Sequence, residues 1–198
     1  MKKYIRYLLT LRYIKLLSYQ SAKHLQQSRQ ETHKHRYTYY YGSQIIYGAI
    51  NKFLLLILLG LLFNILPQIL LVSISFVMLR VFAGGLHFNS YTKCAYVSLL
   101  SFAIMGIMAK YVFLNISQSV IIFLIVFILF LIYAPVEHIN RPLKNNIERI
   151  KFKIISLVLL ILLFLITVNT NNVIISNSII YGVILAGTIT TSFVNKLK

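Results

Sequence analysis

A chain of 198 residues with 59% hydrophobic residues and a mean hydropathy of +0.79 is more apolar than a soluble domain of this length needs to be. Its charges are 20 Lys and Arg against three Glu, and because the basic residues lie between apolar runs, they favour membrane orientation over nucleic-acid binding. The single cysteine, Cys94, excludes an intramolecular disulfide.

The N-terminal segment, residues 1–44, is basic, with nine Lys or Arg and one Glu among alternating Tyr and Leu. This pattern predicts a cytoplasmic segment on the membrane surface that begins with an interfacial helix, and it leaves 26–41 undecided. The first residues are typical of a signal peptide. However, Arg6, Arg12 and Lys15 interrupt the apolar part, and no small-residue cleavage site follows. We therefore expect the whole N-terminal stretch to be part of the mature chain.

Six apolar stretches follow, most of which approach the length that spans a bilayer. Turns without charged residues, at 64–67, 115–118 and 169–172, lie between the first and second, the third and fourth, and the fifth and sixth stretches. The second span is short, and the sixth is the weakest because it contains Ser, Asn and Thr. The sequence therefore predicts an all-α integral membrane protein, with segment 1–44 followed by a polytopic membrane domain, 45–198. The predicted spans are about 45–65, 67–83, 95–114, 117–136, 154–170 and 173–194.

The distribution of Lys and Arg predicts the orientation. With both termini inside, 18 of the 20 lie on the cytoplasmic side, in 1–44, 80–94, 137–153 and 195–198. The opposite orientation would place all 18 outside, so the bias favours an N-in, C-in topology. Lys52 and Lys110 lie near the ends of spans one and three, where long side chains can reach the interface.

A histidine and the only cysteine lie seven residues apart after the second span. His87 near Cys94 is by itself a weak sign of a nucleophile, because buried Cys is commonly a small apolar filler. Positions seven residues apart on one helix lie about 10 Å apart along its axis, too far for proton transfer. If His87 serves Cys94, the chain must fold back. Gly84-Gly85 and Asn89-Ser90 permit this, which predicts a partly re-entrant segment.

An arginine, two glycines, a histidine, the cysteine and a serine follow one another at a specific spacing, as Arg80, Gly84, Gly85, His87, Cys94 and Ser98. A second, looser pattern runs from Ala134-Pro135-Val136-Glu137 to Asn140-Arg141-Pro142. Together they resemble the accessory gene regulator B (AgrB-like) family over essentially the whole chain. The resemblance implies His87 and Cys94 as catalytic residues, with Arg80 and Gly85 at other positions on which the family depends.

The resemblance also implies a function, that of a membrane cysteine endopeptidase of quorum sensing in the bacterial cytoplasmic membrane. Members of this family cut the C-terminal part, which ends in an acidic tail, from a pheromone precursor and yield a cyclic thiolactone or lactone. In that chemistry Cys94 forms a thioester with the substrate, His87 protonates the leaving amine, and a substrate thiol or hydroxyl closes the ring. His87, Lys93 and a helix N-terminus would each favour the thiolate. The resemblance further suggests a homodimer.

Several residues allow more than one interpretation. Gly84-Gly85 permits either close helix packing or a tight turn whose N–H groups stabilise an oxyanion. Arg80 is either an inside anchor or a ligand for the precursor's carboxylates. Glu137 and Asn140 are unsupported candidates for a third catalytic residue.

Metal binding and non-enzymatic functions are less favoured. His24, His33 and His35 fit a solvated basic loop better than a metal site, and we expect no metal or cofactor. A small membrane transporter would need ionisable residues inside the spans, where only Lys52 and Lys110 qualify. A scaffold component would leave the His87–Cys94 spacing unexplained. The expected partners are the precursor peptide, membrane lipids and a second copy of the chain, but not nucleic acid.

Overall fold

The structure is a computed structural model that describes residues 12–29, 33–85, 91–136 and 145–191. Within these ranges the chain forms seven α-helices. They are α1 Arg12–Ser28, α2 His33–Leu62, α3 Leu66–Ala83, α4 Tyr91–Tyr111, α5 Ile116–Tyr133, α6 Asn146–Asn169 and α7 Val173–Thr190. Helices α2 to α7 are each long and apolar enough to cross a membrane. The predicted all-α, multi-pass fold with six spans is therefore confirmed.

The predicted charge-free turns lie where helices end and begin. Pro67 lies in the first turn of α3, where its missing N–H leaves no helical hydrogen bond unmade. The Asn115 side chain accepts from the Gln118 N–H at 2.9 Å, and the Gln118 side chain accepts from the Asn115 N–H at 3.0 Å, which starts α5. The Asn172 side chain accepts from the Ile174 N–H at 3.0 Å and starts α7.

Three helices begin earlier than the predicted spans. Helix α2 begins at His33 instead of 45, α4 at Tyr91 instead of 95, and α6 at Asn146 instead of 154. The prediction marked only the apolar stretches, whereas backbone hydrogen bonds continue each helix through the polar residues before them. The undecided segment 26–41 contains the end of α1 and the beginning of α2.

The span that is weakest in sequence, α7, lies at the centre of the bundle. It packs against α3, α4, α5 and α6, and Asn177 and Ile180 are almost fully buried. A side chain on Gly182 would lie 2.7 Å from the Val72 carbonyl oxygen, so glycine lets α3 and α7 approach closely. Because α7 is covered by protein instead of lipid, small and polar residues suit it better than a uniformly apolar sequence.

Hydrogen bonds tie the helices together at the end of the bundle predicted to face outward. The Asn177 side chain donates to the Val112 carbonyl at 3.2 Å and accepts from the Leu114 N–H at 3.1 Å, which satisfies backbone groups just after α4. Nearby, the Lys110 ammonium donates to the Asn64 carbonyl at 2.9 Å. Lys110 therefore has a polar partner in the turn between α2 and α3.

At the opposite end, α1 lies against α2 and the start of α4. Ile14 is buried in a cluster with Ala95, and the Tyr13 hydroxyl donates to the Asn51 side chain. Burial raises the pKa of the Tyr13 phenol, and the nearby Tyr96 adds to this rise, so Tyr13 stays a neutral donor at neutral pH. The exposed part of α1 carries Arg12, Lys15, Leu16, Leu17 and Lys23. The predicted interfacial helix at the very start of the chain lies outside the described residues.

Candidate active site

The first motif stretch leaves α3 through a turn made by two glycines. Gly84 has a φ of +74° and Gly85 a φ of +127°, a region that side chains other than glycine rarely adopt. The Gly84 N–H donates to the Arg80 carbonyl at 3.1 Å and closes the helix. The two glycines therefore form a tight turn at the end of α3, and the role of their N–H groups toward an oxyanion stays a prediction.

This turn joins the first motif stretch to the second, which follows α5. The Val136 N–H donates to the Ala83 carbonyl at 2.9 Å, and Gly84 pairs with Val136 as an isolated parallel bridge. A Cβ atom on Gly84 would lie 2.3 Å from the Val136 carbonyl oxygen. Two stretches that are distant in sequence are thus in direct backbone contact, and only glycine at position 84 allows it.

Gly85 makes room for the side chain of Arg80. A Cβ atom at position 85 would lie 2.0 Å from the Arg80 Nη1 and 2.8 Å from the Ile189 carbonyl oxygen near the end of α7. The guanidinium therefore lies beneath the turn, in the space that a side chain at 85 would fill. This contact gives a structural reason for pairing Arg80 with Gly85 in the motif.

The Cys94 sulfur lies beside a lysine from another helix. Cys94 is half-buried in the first turn of α4, and the Lys52 ammonium of α2 donates to its Sγ at 3.7 Å. The Arg80 guanidinium also interacts electrostatically with Cys94. Three features near the sulfur therefore favour a negative charge on it, because the N-terminus of a helix adds its partial positive charge to the two cations.

The sequence did not single out Lys52 as a site residue. It pointed to Lys93 as the basic neighbour of the sulfur, but Lys93 is exposed in the structure, whereas Lys52 reaches Sγ from 42 positions away along the chain. The sequence did contain evidence for Lys52 as a site residue, because an ionisable residue inside an apolar span usually has a function. Its position near one end of the span made an interfacial anchor an equally good explanation.

The other predicted site residues divide into two groups. Ser98 is half-buried one helical turn after Cys94, on the same face of α4. The predicted base His87 lies outside the described residues, as do Glu137 and Asn140, so these assignments stay predictions. Among the described residues, no three His, Cys, Asp or Glu side chains come together in a way that could hold a metal ion.

Comparison with known families identifies a family that covers most of the chain. The model of the family described as "Accessory gene regulator B" matches residues 18–192, which include the glycine turn, Cys94, Lys52 and the stretch after α5. The chain belongs to the accessory gene regulator B family. Membership supports a role in the accessory gene regulator system.

Individual relatives are also described as AgrB-like. One from Clostridium acetobutylicum is 31% identical over 112 residues, which is 57% of this chain and 54% of the relative. One from Clostridium beijerinckii is 28% identical over 63% of each chain, and one from Clostridium perfringens is 26% identical over 57% of this chain and 56% of the relative. The chain thus spans between half and two thirds of the length of these relatives. No solved structure gives a significant match.

Proposed function

We propose that this accessory gene regulator B protein is a membrane cysteine endopeptidase that cleaves a pheromone precursor and promotes its cyclisation to a thiolactone or lactone. The observation that carries the proposal is the setting of Cys94. The only thiol of the chain lies in the first turn of α4, in contact with the Lys52 ammonium and in electrostatic interaction with Arg80. A buried cysteine that merely fills space needs no cations around it, whereas a nucleophilic thiolate does.

The proposed reaction begins when the Cys94 sulfur gives its proton to His87 and attacks the scissile carbonyl. The tetrahedral intermediate then breaks its C–N bond, and His87 returns the proton to the leaving amine. The C-terminal part of the precursor departs, and the N-terminal part stays on Cys94 as a thioester. A thiol or hydroxyl within that part gives its proton to His87, attacks the thioester carbonyl and releases the Cys94 thiolate with the ring closed.

Cyclisation must compete with hydrolysis of the thioester, because water could attack the same carbonyl. The candidate site lies at the predicted cytoplasmic end of the bundle, where α1 covers the start of α4 through the contact of Ile14 with Ala95. Such cover lowers the access of water and favours the internal nucleophile of the precursor as the nearer reactant. This arrangement favours a cyclic product over a linear acid.

The basic residues at the same end suit a precursor with an acidic tail. Arg149 and Lys151 are exposed in the first turns of α6, on the predicted cytoplasmic side. Opposite charges raise the rate of encounter and orient a partner before it docks. In this proposal Arg80 holds a carboxylate of the precursor near the scissile bond.

The thioester can be trapped to test the proposal. A synthetic precursor whose internal Cys or Ser is replaced by Ala cannot close the ring, so the acyl-enzyme should accumulate. Intact-mass analysis of the purified protein in nanodiscs should then show an adduct with the mass of the precursor's N-terminal part, on Cys94 and labile to hydroxylamine. The adduct should be lost in His87→Ala and retained in the control His24→Ala, whose histidine is exposed on α1. Cleavage without any adduct in wild type, or normal cleavage by His87→Ala, would contradict the mechanism.

A further inference from the structure

Lys52 lies in an unusual place for a charged residue. It precedes the apolar run 53–63 in a helix that spans the membrane, yet it is half-buried against protein. A charge that is half-buried within a membrane-spanning helix usually has a specific partner or function that compensates its loss of hydration. Its ammonium donates to the Cys94 sulfur at 3.7 Å, so the sulfur is one such partner.

We infer that Lys52 is a catalytic residue whose ammonium holds the Cys94 sulfur in its thiolate form. The inference rests on the proposed function, in which this sulfur is the nucleophile, and it adds a residue to the pair His87 and Cys94. The thiol proton passes to His87, the ammonium stabilises the sulfur anion that remains, and no proton or bond is gained or lost at Nζ.

Neighbouring contacts hold Lys52 and Cys94 in place. Helix α1 contacts both α2, which carries Lys52, and α4, which carries Cys94. The Tyr13 hydroxyl donates to Asn51 of α2, and Ile14 packs with Ala95 of α4. Asn51 directly precedes Lys52, and Ala95 directly follows Cys94. Helix α1 therefore fixes the spacing of the two backbones from which the ammonium and the sulfur extend.

Other charged and titratable groups lie on the elements around the sulfur, and each could change its reactivity. In the described residues they include Tyr13 and Lys15 on α1, Tyr47 on α2, Arg80 on α3, and Lys93 and Tyr96 on α4. Among them and Lys52, the Lys52 ammonium has a defined contact with Sγ, at 3.7 Å. Lys93 provides the sharpest comparison, because it has the same charge and is adjacent to Cys94 in sequence but is exposed.

Because Cys94 is the only thiol, its alkylation can be followed without any precursor. We would measure the rate of reaction with iodoacetamide, an uncharged reagent, for protein in nanodiscs at pH 7 and pH 9.5. An unassisted thiol is only a few per cent thiolate at neutral pH, so Lys52→Met should react about tenfold more slowly than wild type at pH 7. At pH 9.5 an unassisted thiol is mostly ionised, so the two rates should converge.

Three further variants separate charge from structure. Lys52→Arg, which keeps the charge, should recover most of the pH 7 rate. Lys110→Met, which removes the lysine bonded to the Asn64 carbonyl at the other end of the bundle, should react like wild type. Lys93→Met should slow the reaction less than Lys52→Met does. A tenfold loss that persists at pH 9.5, an equal rate for wild type and Lys52→Met at pH 7, or a larger effect of Lys93→Met would each overturn the assignment.

A cleavage assay then distinguishes this inference from the proposed function. With precursor present, Lys52→Met should lower kcat by about tenfold and leave KM nearly unchanged, as expected for the loss of nucleophile activation. Cleavage by Cys94→Ala would reject the peptidase mechanism whatever the alkylation rates are. Normal kcat in Lys52→Met, with Cys94→Ala inactive, would reject the role of Lys52 alone.

Discussion

Replacing Gly84 by alanine tests the turn that joins the two motif stretches. Gly84 has a φ of +74°, and a Cβ atom there would lie 2.3 Å from the Val136 carbonyl oxygen. A backbone with this φ and a ψ of −152° is nearly confined to glycine, and holding an alanine in it costs roughly 1–3 kcal/mol. Relief of the overlap requires the Val136 backbone to move, which costs roughly 1–3 kcal/mol by analogy with overpacked cores. We therefore expect Gly84→Ala to destabilise the protein by about 2–6 kcal/mol.

Thermal unfolding in detergent, followed by fluorescence-detected size exclusion, measures this effect. Each kcal/mol corresponds to roughly 2–4 °C for soluble chains of this size, so Tm should fall by at least about 4 °C. Gly42→Ala in α2 is the matched control, because no heavy atom lies within 4 Å of the Cβ position there. Its Tm should stay the same or rise slightly, since alanine favours a helix over glycine. A Gly84→Ala protein with the Tm and cleavage rate of wild type would refute this account of the turn.

Three further predictions address the rest of the molecule. Asn177→Leu should lower Tm by several degrees, because it leaves the backbone groups just after α4 without their side-chain partner. The control Asn171→Leu, in an exposed turn, should leave Tm unchanged, and equal Tm values for the two variants would contradict the role assigned to Asn177. Charge reversal at Arg149, Lys151 and Lys153 should raise KM, and the increase should be largest at low salt. Arg80→Ala should lower kcat/KM more than this charge reversal does. Cleavage rates that change neither with salt nor with the reversal would mean that the three residues only orient the protein in the membrane. Reporters fused at Lys198 and inserted within 137–153 should both report the cytoplasm, and external activity at either would contradict the N-in, C-in topology.

Local sequence signals predicted most of the helical framework. Helix boundaries at Pro67, Asn115 and Asn172 follow from turn and capping residues, whose preferences act over a few positions. Apolar run length likewise identifies spans, because the thickness of the bilayer sets it. Apolar run length underestimated the lengths of α2, α4 and α6, because these helices begin in the polar sequence before each apolar run.

Packing between helices could not be predicted in the same way. The central position of α7 depends on which helices cover it, and those neighbours are not visible in the sequence. Its Ser, Asn and Thr residues therefore made it the weakest predicted span. The contact of Lys52 with Cys94 depends on the rotation of α2 about its axis, which apolar sequence does not specify. The motif spacing indicated the importance of Gly84 and Gly85, but the partner Val136 came only from the fold.

The most direct test of the central claim is precursor cleavage by Cys94→Ala. Co-expression with the precursor peptide, read out by gel shift and mass spectrometry, should show full-length precursor and no cyclic product. Ser101→Ala, a similarly small change two turns further along α4, should cleave like wild type, and both proteins should insert in the membrane in equal amounts. Full processing by Cys94→Ala would contradict the account, because no other thiol in the chain could take its place.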